Sequence, residues 1–506
     1  MLQQLALVRK IKVRILLLTV VIAFGMFLFS IMSLPISFTL YNADLSITRS
    51  RIQVLTKSYG LTSDQSLDED IIQLMQTGYI PSVAASIIKN DSIMWVKSFG
   101  EQSSIDTIFM IASITKTFTA TAILQLYEQG FFNLDDDVNN YLPFSLRNPN
   151  HPNIPITFRM LLSHTASING SQDDYWGVTF QDLYRKLGLL NDTETFPSYP
   201  TWLEEYFAPN GSLYTSNVWK IEAPGSSSHA TYANPGFDLL GYLIELISNK
   251  TLDQYFLDNI FAPLNMNSTG FNLSGFEQEK LAIPHYWNDT DGNIAVYPLY
   301  NCLAFGAGAL RTTITDLSHF LIAQMQGGYY NGIRILKEET VELMHDCTHS
   351  NLGNGYGFGW SLDINPQWQG HNGGGPGIRT QMYFRYTETN PALPIGVIVL
   401  GNQGWVPGEA AGEAIGSIRD RLYEEALIML TTTSELPTTT TSELPITTTS
   451  ELPTTTTTKN TTVITSKEGI TTSSKDIING KIIPSFLIFT NILAFFGIVI
   501  WRKRRK

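Results

Sequence analysis

The stretch IASITKTF, residues 111–118, decides how the rest of the sequence is interpreted. Ser113 and Lys116 stand three residues apart, so on a helix their side chains share one face. A serine hydroxyl is a weak nucleophile until a base takes its proton, and a lysine becomes such a base when burial lowers its pKa. A serine at a helix start also offers its N–H to a developing oxyanion. The pair is therefore a candidate nucleophile and base, although S-x-x-K also occurs on ordinary amphipathic helices.

Two later stretches supply partners for this pair. TYANPGFDLLG, residues 231–241, places Tyr232 and Asn234 just before a helical pattern, and a nearby tyrosine hydroxyl can relay a proton to a leaving group. GHNGGGPGIRT, residues 370–380, places His371 ahead of a glycine cluster beside a late strand. Glycines there let a substrate lie against the backbone and free an N–H for an oxyanion.

Taken in order, SITK (113–116), YAN (232–234) and HNG (371–373) resemble the motifs of the serine β-lactamase and penicillin-binding protein superfamily. The resemblance is to its class C-like branch of β-lactamase-related serine hydrolases, and it covers roughly residues 66–425. It implies a β-lactamase-like fold and an acyl-enzyme mechanism. It implies no metal and no organic cofactor.

The resemblance also implies a role for each matching residue. The catalytic residues would be Ser113 as the acylated nucleophile, Lys116 in its deprotonation, and Tyr232 as general base and acid. The substrate-binding residues would be Asn234, His371, Gly373 and Gly374. The backbone N–H groups of Ser113 and Gly374 are expected to form the oxyanion hole.

His371 departs from the superfamily, in which a lysine often stands at this position and helps to hold a substrate carboxylate. A neutral imidazole pairs with a carboxylate less well than an ammonium group does. We therefore expect an ester, amide or peptide substrate. The alternatives are a β-lactamase or D-alanyl-D-alanine carboxypeptidase, and a catalytically inactive surface binding protein.

The N-terminal end of the chain carries a membrane signal. Residues 1–14 are basic and are expected to stay in the cytoplasm, and residues 15–41 are mostly apolar. A run of about 20 apolar helical residues is long enough to cross the hydrocarbon core of a membrane. Residues 15–41 are interpreted as an uncleaved signal-anchor or a cleaved signal peptide, with a linker at 42–65.

The C-terminal end is interpreted as a stalk and an anchor. Residues 429–481 are rich in Thr, Ser and Pro and repeat SELP, a composition that cannot bury a core. Residues 482–501 are uncharged and predict a transmembrane helix, followed by a basic cytoplasmic tail at 502–506. With both basic ends inside, the hydrolase domain would face outside the cell membrane. Scattered N-x-[ST] triplets then suggest a glycoprotein.

Residues 66–428 predict one hydrolase domain of the α+β class. Two strand-like runs around Asn90-Asp91 predict a hairpin at the front, and helical patterns fill the middle. QMYFRY (381–386) and IGVIVLGN (395–402) predict strands at the back. We expect the first and last strands to share one antiparallel sheet flanked by helices, with the middle forming a helical lobe and transmembrane helices at the chain ends.

The composition narrows the range of partners. The 506 residues carry a net charge of −12, which argues against nucleic acid because phosphate binding needs a basic surface. A small-molecule or peptide substrate is expected instead. The two cysteines, Cys302 and Cys347, could form one bridge in an oxidising compartment or remain two buried thiols.

Overall fold

The structure of the protein is a computed structural model. The described residues are 66–100, 103–170, 173–190, 197–353, 355–362, 368–386, 393–404 and 409–432. None of the helices that these residues form is long and apolar enough to cross a membrane. The predicted membrane segments at 15–41 and 482–501 lie outside the described residues, as do the linker at 42–65 and most of the predicted stalk.

Antiparallel strands form the centre of the fold. The strands of the described residues are β1 (Ser82–Lys89), β2 (Ser92–Gly100), β3 (Phe109–Met110), β4 (His285–Asn288), β5 (Asn293–Val296), β6 (Arg311–Thr312), β7 (Tyr329–Tyr330), β8 (Ile333–Arg334), β9 (Ser361–Leu362), β10 (Gln369–Gly375), β11 (Ile378–Tyr386) and β12 (Pro394–Gly401). Six of them form one antiparallel sheet in the order β2-β1-β12-β11-β10-β9. Val83 of β1 lies opposite Gly401 of β12, which confirms that the first and last strands share a sheet.

The burial of each strand follows its place in the sheet. β12 is buried along its whole length and β1 along all but its last residue. Both read as nearly continuous apolar runs because helices cover both faces of the sheet there. β2 lies at the edge, and all of its residues except Phe99 are exposed or half-buried. The predicted hairpin turn is confirmed at Asn90, whose φ of 55° is a left-handed conformation that asparagine tolerates.

Helices surround the sheet. The α-helices of the described residues are α1 (Leu67–Thr77), α2 (Thr115–Glu128), α3 (Phe158–Leu162), α4 (Asp173–Thr179), α5 (Gln181–Lys186), α6 (Tyr199–Phe207), α7 (Asn234–Ser248), α8 (Leu252–Phe256), α9 (Ile314–Met325), α10 (Glu338–Met344) and α11 (Ala410–Thr432). The last of these passes the predicted domain boundary at 428. α1 begins with a capping box in which Ser66 and Glu69 bond each other's backbone, as their spacing predicts.

The sheet lies between two helical layers. On one face α11 packs against α1, where Arg421 Nε donates to Asp70 Oδ2 over 2.7 Å. On the other face α9 lies against β1, with the hydroxyl oxygens of Ser318 and Ser86 3.0 Å apart. A Cβ on Gly401, which lies opposite Val83, would come 2.9 Å from Ile415 of α11. Ser86 and Val83 are an odd number of residues apart, so their side chains point to opposite faces. The arrangement confirms the predicted antiparallel sheet flanked by helices.

The predicted helical lobe is present between β3 and β6. Its core consists of large side chains that are at most 1% exposed, among them Trp202, Phe207, Phe237 and Phe256. The lobe contacts α2 through Phe118, whose ring lies 6.5 Å from that of Phe256 and 3.8 Å from that of Phe320 in α9. α2 therefore joins the lobe to the helical layer on the sheet.

The structure adds a strand where the sequence indicated a glycine cluster beside a strand. His371 and the three glycines that follow Asn372 lie within β10 and pair with β11. Glycine has a low strand propensity, which hid this strand in the sequence. Here it is required, because a Cβ on Gly373 would come 2.2 Å from Ile111 O and 2.3 Å from Thr380 Oγ1. The nucleophile segment thus packs directly on the backbone of β10.

Candidate active site

Ser113 and Lys116 lie at the start of α2, as their spacing predicts. Ser113 occupies a short 3₁₀ turn that leads into the helix, and Ala112 before it has a left-handed φ of 46°. Lys116 in the first turn of α2 is fully buried. Its Nζ donates to Ser113 Oγ over 3.1 Å and to the carbonyl oxygen of Ala307 over 2.7 Å. The two bonds hold the amine against the hydroxyl group that it is expected to deprotonate.

Burial changes the acidity of this lysine. Removal from water disfavours the ammonium form and lowers the pKa of Lys116 to about 7, while Asp238 and Cys302 act in the opposite direction. Cys302 is a buried free thiol. A large share of Lys116 is therefore neutral near pH 7 and able to accept a proton.

Tyr232 reaches Ser113 from the residues that precede α7. Burial raises the pKa of Tyr232, although a side-chain hydrogen bond with Ser113 acts in the opposite direction. Lys116 Nζ lies 4.9 Å from the centre of the Tyr232 ring. The phenol therefore stays protonated at neutral pH, which suits the expected role of general acid or relay better than that of an independent base.

His164 supports the segment that carries Tyr232. His164 Nδ1 accepts a hydrogen bond from the N–H of Ala233 over 3.2 Å, and its ring lies 4.6 Å from the Tyr232 ring. Burial lowers the pKa of His164 well below its usual value, so this imidazole is neutral. Its contacts are those of a structural histidine.

His371 lies behind Tyr232, with ring centres 6.0 Å apart, and is 2% exposed. Its Nδ1 donates to the carbonyl oxygen of Asn372 over 2.6 Å, and its Nε2 accepts from the hydroxyl group of Tyr356 over 3.1 Å. Burial and the nearby Lys116 lower the pKa of His371 to about 3. The imidazole is neutral, and a direct bond to a substrate would have to replace one of these two partners.

An open cleft of about 320 Å³ gives access to the nucleophile. Its walls are formed by Ser113, Tyr232, Asn372, Gly373, Gly374, Arg379, Thr380, Gln381, Glu409, Gly412 and Ile415. Among these described residues the charged side chains are Arg379 and Glu409, which pair over 2.7 Å. The cleft therefore presents little net charge to a substrate.

The structure brings four of the seven predicted site residues to the cleft wall: Ser113, Tyr232, Gly373 and Gly374. Lys116 and His371 are buried behind that wall. Asn234 is also buried, 8% exposed, at the first turn of α7. Gly374 is exposed to the cleft next to Ser113, a position suited to its predicted part in an oxyanion hole.

Comparison with known families agrees with this site. The family model described as Beta-lactamase matches residues 67–418. The chain belongs to the β-lactamase family. The match includes Ser113, Lys116, Tyr232 and His371, so the three motifs that carry the resemblance lie within it.

Relatives in this family share about a quarter of the sequence. Protein flp of Staphylococcus aureus (strain N315) is 26% identical over 358 residues, which cover 67% of this chain and 63% of that protein. The chain thus spans less than two thirds of that relative. An Escherichia coli K12 protein, provisionally named a D-alanyl-D-alanine carboxypeptidase, is 24% identical. The match covers 65% of this chain and 82% of that protein.

Two solved structures share the fold. The octameric penicillin-binding protein homologue from Pyrococcus abyssi is 26% identical with a TM-score of 0.57, covering 72% of this chain and 76% of that chain. The D-amino acid amidase from Ochrobactrum anthropi SV3, with D-phenylalanine, is 20% identical with a TM-score of 0.55. That match covers 72% of this chain and 99% of the amidase.

Two residues of the site belong to none of the three motifs. Asp238 is fully buried near Lys116, and Tyr356 bonds His371. Asp238 did leave a signal, because it is one of only two charged residues in the apolar pattern of α7 and stands one helical turn after Asn234. Tyr356 comes from an irregular segment and makes its contact across the fold, so its spacing carried no information.

Proposed function

We propose that the chain is a membrane-anchored, extracellular serine hydrolase that acts through an acyl-enzyme on an ester, amide or peptide. The observation that carries the enzymatic part is the bond of 3.1 Å between Lys116 Nζ and Ser113 Oγ, made by a lysine that burial keeps partly neutral. A nucleophile needs such a positioned base, and a lysine serves as one when its pKa lies near the working pH.

The proposed reaction has two halves. In the first, Ser113 Oγ attacks the substrate carbonyl carbon while its proton passes to Lys116 Nζ. The oxyanion forms next to the N–H groups of Ser113 and Gly374. The carbon–oxygen or carbon–nitrogen bond then breaks, the Tyr232 hydroxyl group protonates the leaving group, and Lys116 Nζ passes the serine proton on to Tyr232. In the second half, water attacks the ester carbonyl carbon and gives a proton to Lys116 Nζ. The bond to Ser113 Oγ then breaks, Ser113 Oγ takes that proton back, and the acid is released.

The neutral His371 supports this substrate class over β-lactams. A β-lactam or a D-alanyl-D-alanine peptide carries a carboxylate, and no unpaired cation lies among the described residues of the cleft wall. The name of the Escherichia coli relative keeps D-alanyl-D-alanine hydrolysis as the alternative. The second alternative is an inactive binding protein. The chain retains Ser113, Lys116 and Tyr232, which argues against it.

The membrane part of the proposal rests on the predicted segments at 15–41 and 482–501 and the stalk at 429–481. With that topology, protease added to intact cells should release the hydrolase domain by cutting within the stalk. A stalk that is protected until the cells are lysed would contradict the outward orientation. This result is independent of catalysis.

A substrate panel tests the enzymatic part. We expect p-nitrophenyl esters and D-amino acid p-nitroanilides to be hydrolysed by the wild type and not by Ser113→Ala. Nitrocefin should be turned over more slowly than the esters. Rapid nitrocefin hydrolysis would favour the β-lactamase alternative, and equal activity in Ser113→Ala would reject the serine mechanism.

A further inference from the structure

One buried carboxyl group near Lys116 has no role in the reaction just described. Asp238 in α7 is 0% exposed. Its Oδ1 accepts hydrogen bonds from the N–H groups of Gly306 and Ala307 over 3.0 Å and 3.1 Å. Its Oδ2 accepts a bond from the hydroxyl group of Tyr175 over 2.8 Å. Three donors therefore fix this group in one orientation and favour its ionised form.

Ala307 connects the carboxyl group to the catalytic lysine. Its N–H donates to Asp238, and its carbonyl oxygen accepts the bond of 2.7 Å from Lys116 Nζ. Asp238 thus fixes Ala307, and Ala307 in turn binds the amine of Lys116. Loss of the carboxyl group would leave two buried N–H groups without an acceptor and free the Ala307 carbonyl to move.

We propose that Asp238 is a positioning residue for the reaction, fixing Ala307 against Lys116 and stabilising the ammonium group that forms when Lys116 takes the Ser113 proton. The proposal rests on the proposed function and deepens it. Asp238 does not touch the substrate, and it acts through the lysine. A positive charge that forms in a dry site needs a fixed counter-charge, because water cannot solvate it there.

Lys116 and Asp238 are the two groups of this buried cluster that change charge near neutral pH. The other ionisable side chains that face Lys116 or Asp238 are Tyr175 of α4, Tyr199 of α6, Cys302, His164, Tyr232 and His371 of β10. Burial raises the pKa of the tyrosines and of Cys302, and it lowers the pKa of both histidines. All of them are therefore neutral between about pH 5 and pH 9.

Burial acts on the pair in opposite directions. It lowers the pKa of Lys116 and raises the pKa of Asp238, and each charged partner opposes the effect on the other. Removing the carboxylate therefore leaves the ammonium form of Lys116 less stable. The pKa of Lys116 should then fall further, by about one unit for a nearby opposite charge.

The test is a titration of Lys116 in the full-length protein labelled with ¹³C at lysine Cε. The Lys116 signal is identified by its absence in Lys116→Met. Asp238→Asn keeps an oxygen for the two backbone donors, removes the charge, and places an NH2 donor where Oδ2 accepts from Tyr175. We expect it to lower the pKa of Lys116 by about one unit. An unchanged or raised pKa would overturn the proposal.

A second variant tests the proposal in case Asp238→Asn does not fold. Tyr175→Phe keeps the carboxyl group with its two backbone donors and removes only the donor to Oδ2. Without this donor the ionised form of Asp238 is less favoured, so the pKa of Lys116 should fall, but by less than in Asp238→Asn. An unchanged pKa of Lys116 in Tyr175→Phe would overturn the proposal even if Asp238→Asn failed to fold.

The pH profile of ester hydrolysis separates this role from a merely structural one. In Asp238→Asn the acid limb of kcat/KM should move to lower pH together with the lysine, whereas a structural role would lower the plateau and leave the limb in place. A wild type without Ser113-dependent turnover would reject the proposed function. The lysine titration would still decide the role of Asp238, because it needs no substrate.

Discussion

Lys116 Nζ lies 3.1 Å from Ser113 Oγ, and both atoms are held on the first turn of one helical segment. The lysine is fully buried, and its Nζ also donates a hydrogen bond to the backbone carbonyl oxygen of Ala307. In its neutral form this amine can accept the serine proton without any movement of the backbone.

The activity should depend on pH through Lys116. The lysine is a base only when neutral, and its pKa is lowered to about 7, so kcat/KM should rise as the pH increases through about 7. Because Asp238 titrates in the same region, the measured value belongs to the pair. A profile on a p-nitrophenyl ester checks this. A flat profile between pH 5 and pH 9 would contradict the assignment of Lys116 as the base.

His371 provides the control for that profile. Its pKa is lowered to about 3, so it cannot cause a limb near neutral pH. His371→Gln should therefore reduce the rate without moving the acid limb. If the limb disappears in His371→Gln, the histidine is the titrating group and the lysine assignment is wrong.

Tyr232→Phe should distinguish substrates by their leaving groups. The variant keeps the ring beside Lys116 and removes the hydroxyl group that protonates the leaving group. A p-nitrophenolate leaves without a proton, whereas an amine needs one. We expect kcat/KM to fall about 100-fold or more for a D-amino acid amide, and much less for the p-nitrophenyl ester. An equal fall for both would indicate that Tyr232 activates the nucleophile instead.

Gly373→Ala should damage both the fold and the activity. Its Cβ would come 2.2 Å from Ile111 O and 2.3 Å from Thr380 Oγ1, so β10 must move away from the nucleophile segment. We expect the free energy of unfolding to fall by about 1–3 kcal/mol. We expect kcat/KM to fall about 100-fold, because the oxyanion donors shift relative to Ser113. Urea denaturation and ester hydrolysis measure the two effects.

Gly374→Ala is the matched control on the neighbouring residue. Its Cβ would meet only the guanidinium group of Arg379 within 3 Å, and the end of that side chain can move. The free energy of unfolding should change by less than about 0.5 kcal/mol. The activity should still fall, because the methyl group narrows the cleft beside Ser113. Equal destabilisation by the two variants would refute the described packing of β10 on residue 111.

The sequence predicted those parts of the fold that depend on local pattern. The α2 helix, the hairpin at Asn90 and the sharing of a sheet by β1 and β12 follow from periodicity, turn residues and apolar runs. The predicted membrane segments and domain boundaries remain predictions. The strand character of β10 could not be predicted, because contacts with residue 111 and with β11 impose it on glycines.

For the site, the motifs indicated which residues come together but not how each one faces. His371 was expected to contact the substrate, yet its two ring nitrogens bond Tyr356 and the Asn372 carbonyl. The roles of Asp238 and Tyr356 depend on bonds between segments far apart in sequence. Because such bonds join distant segments, they produce no regular residue spacing that could be recognised in a single sequence.

The central claim is that Ser113 is the nucleophile, and covalent labelling tests it most directly. The protein is treated with a fluorophosphonate, digested, and analysed by mass spectrometry to locate the phosphonylated residue. We predict modification of the peptide that carries Ser113 in the wild type and no labelling of Ser113→Ala. Labelling of a different serine, or undiminished labelling of Ser113→Ala, would contradict the account.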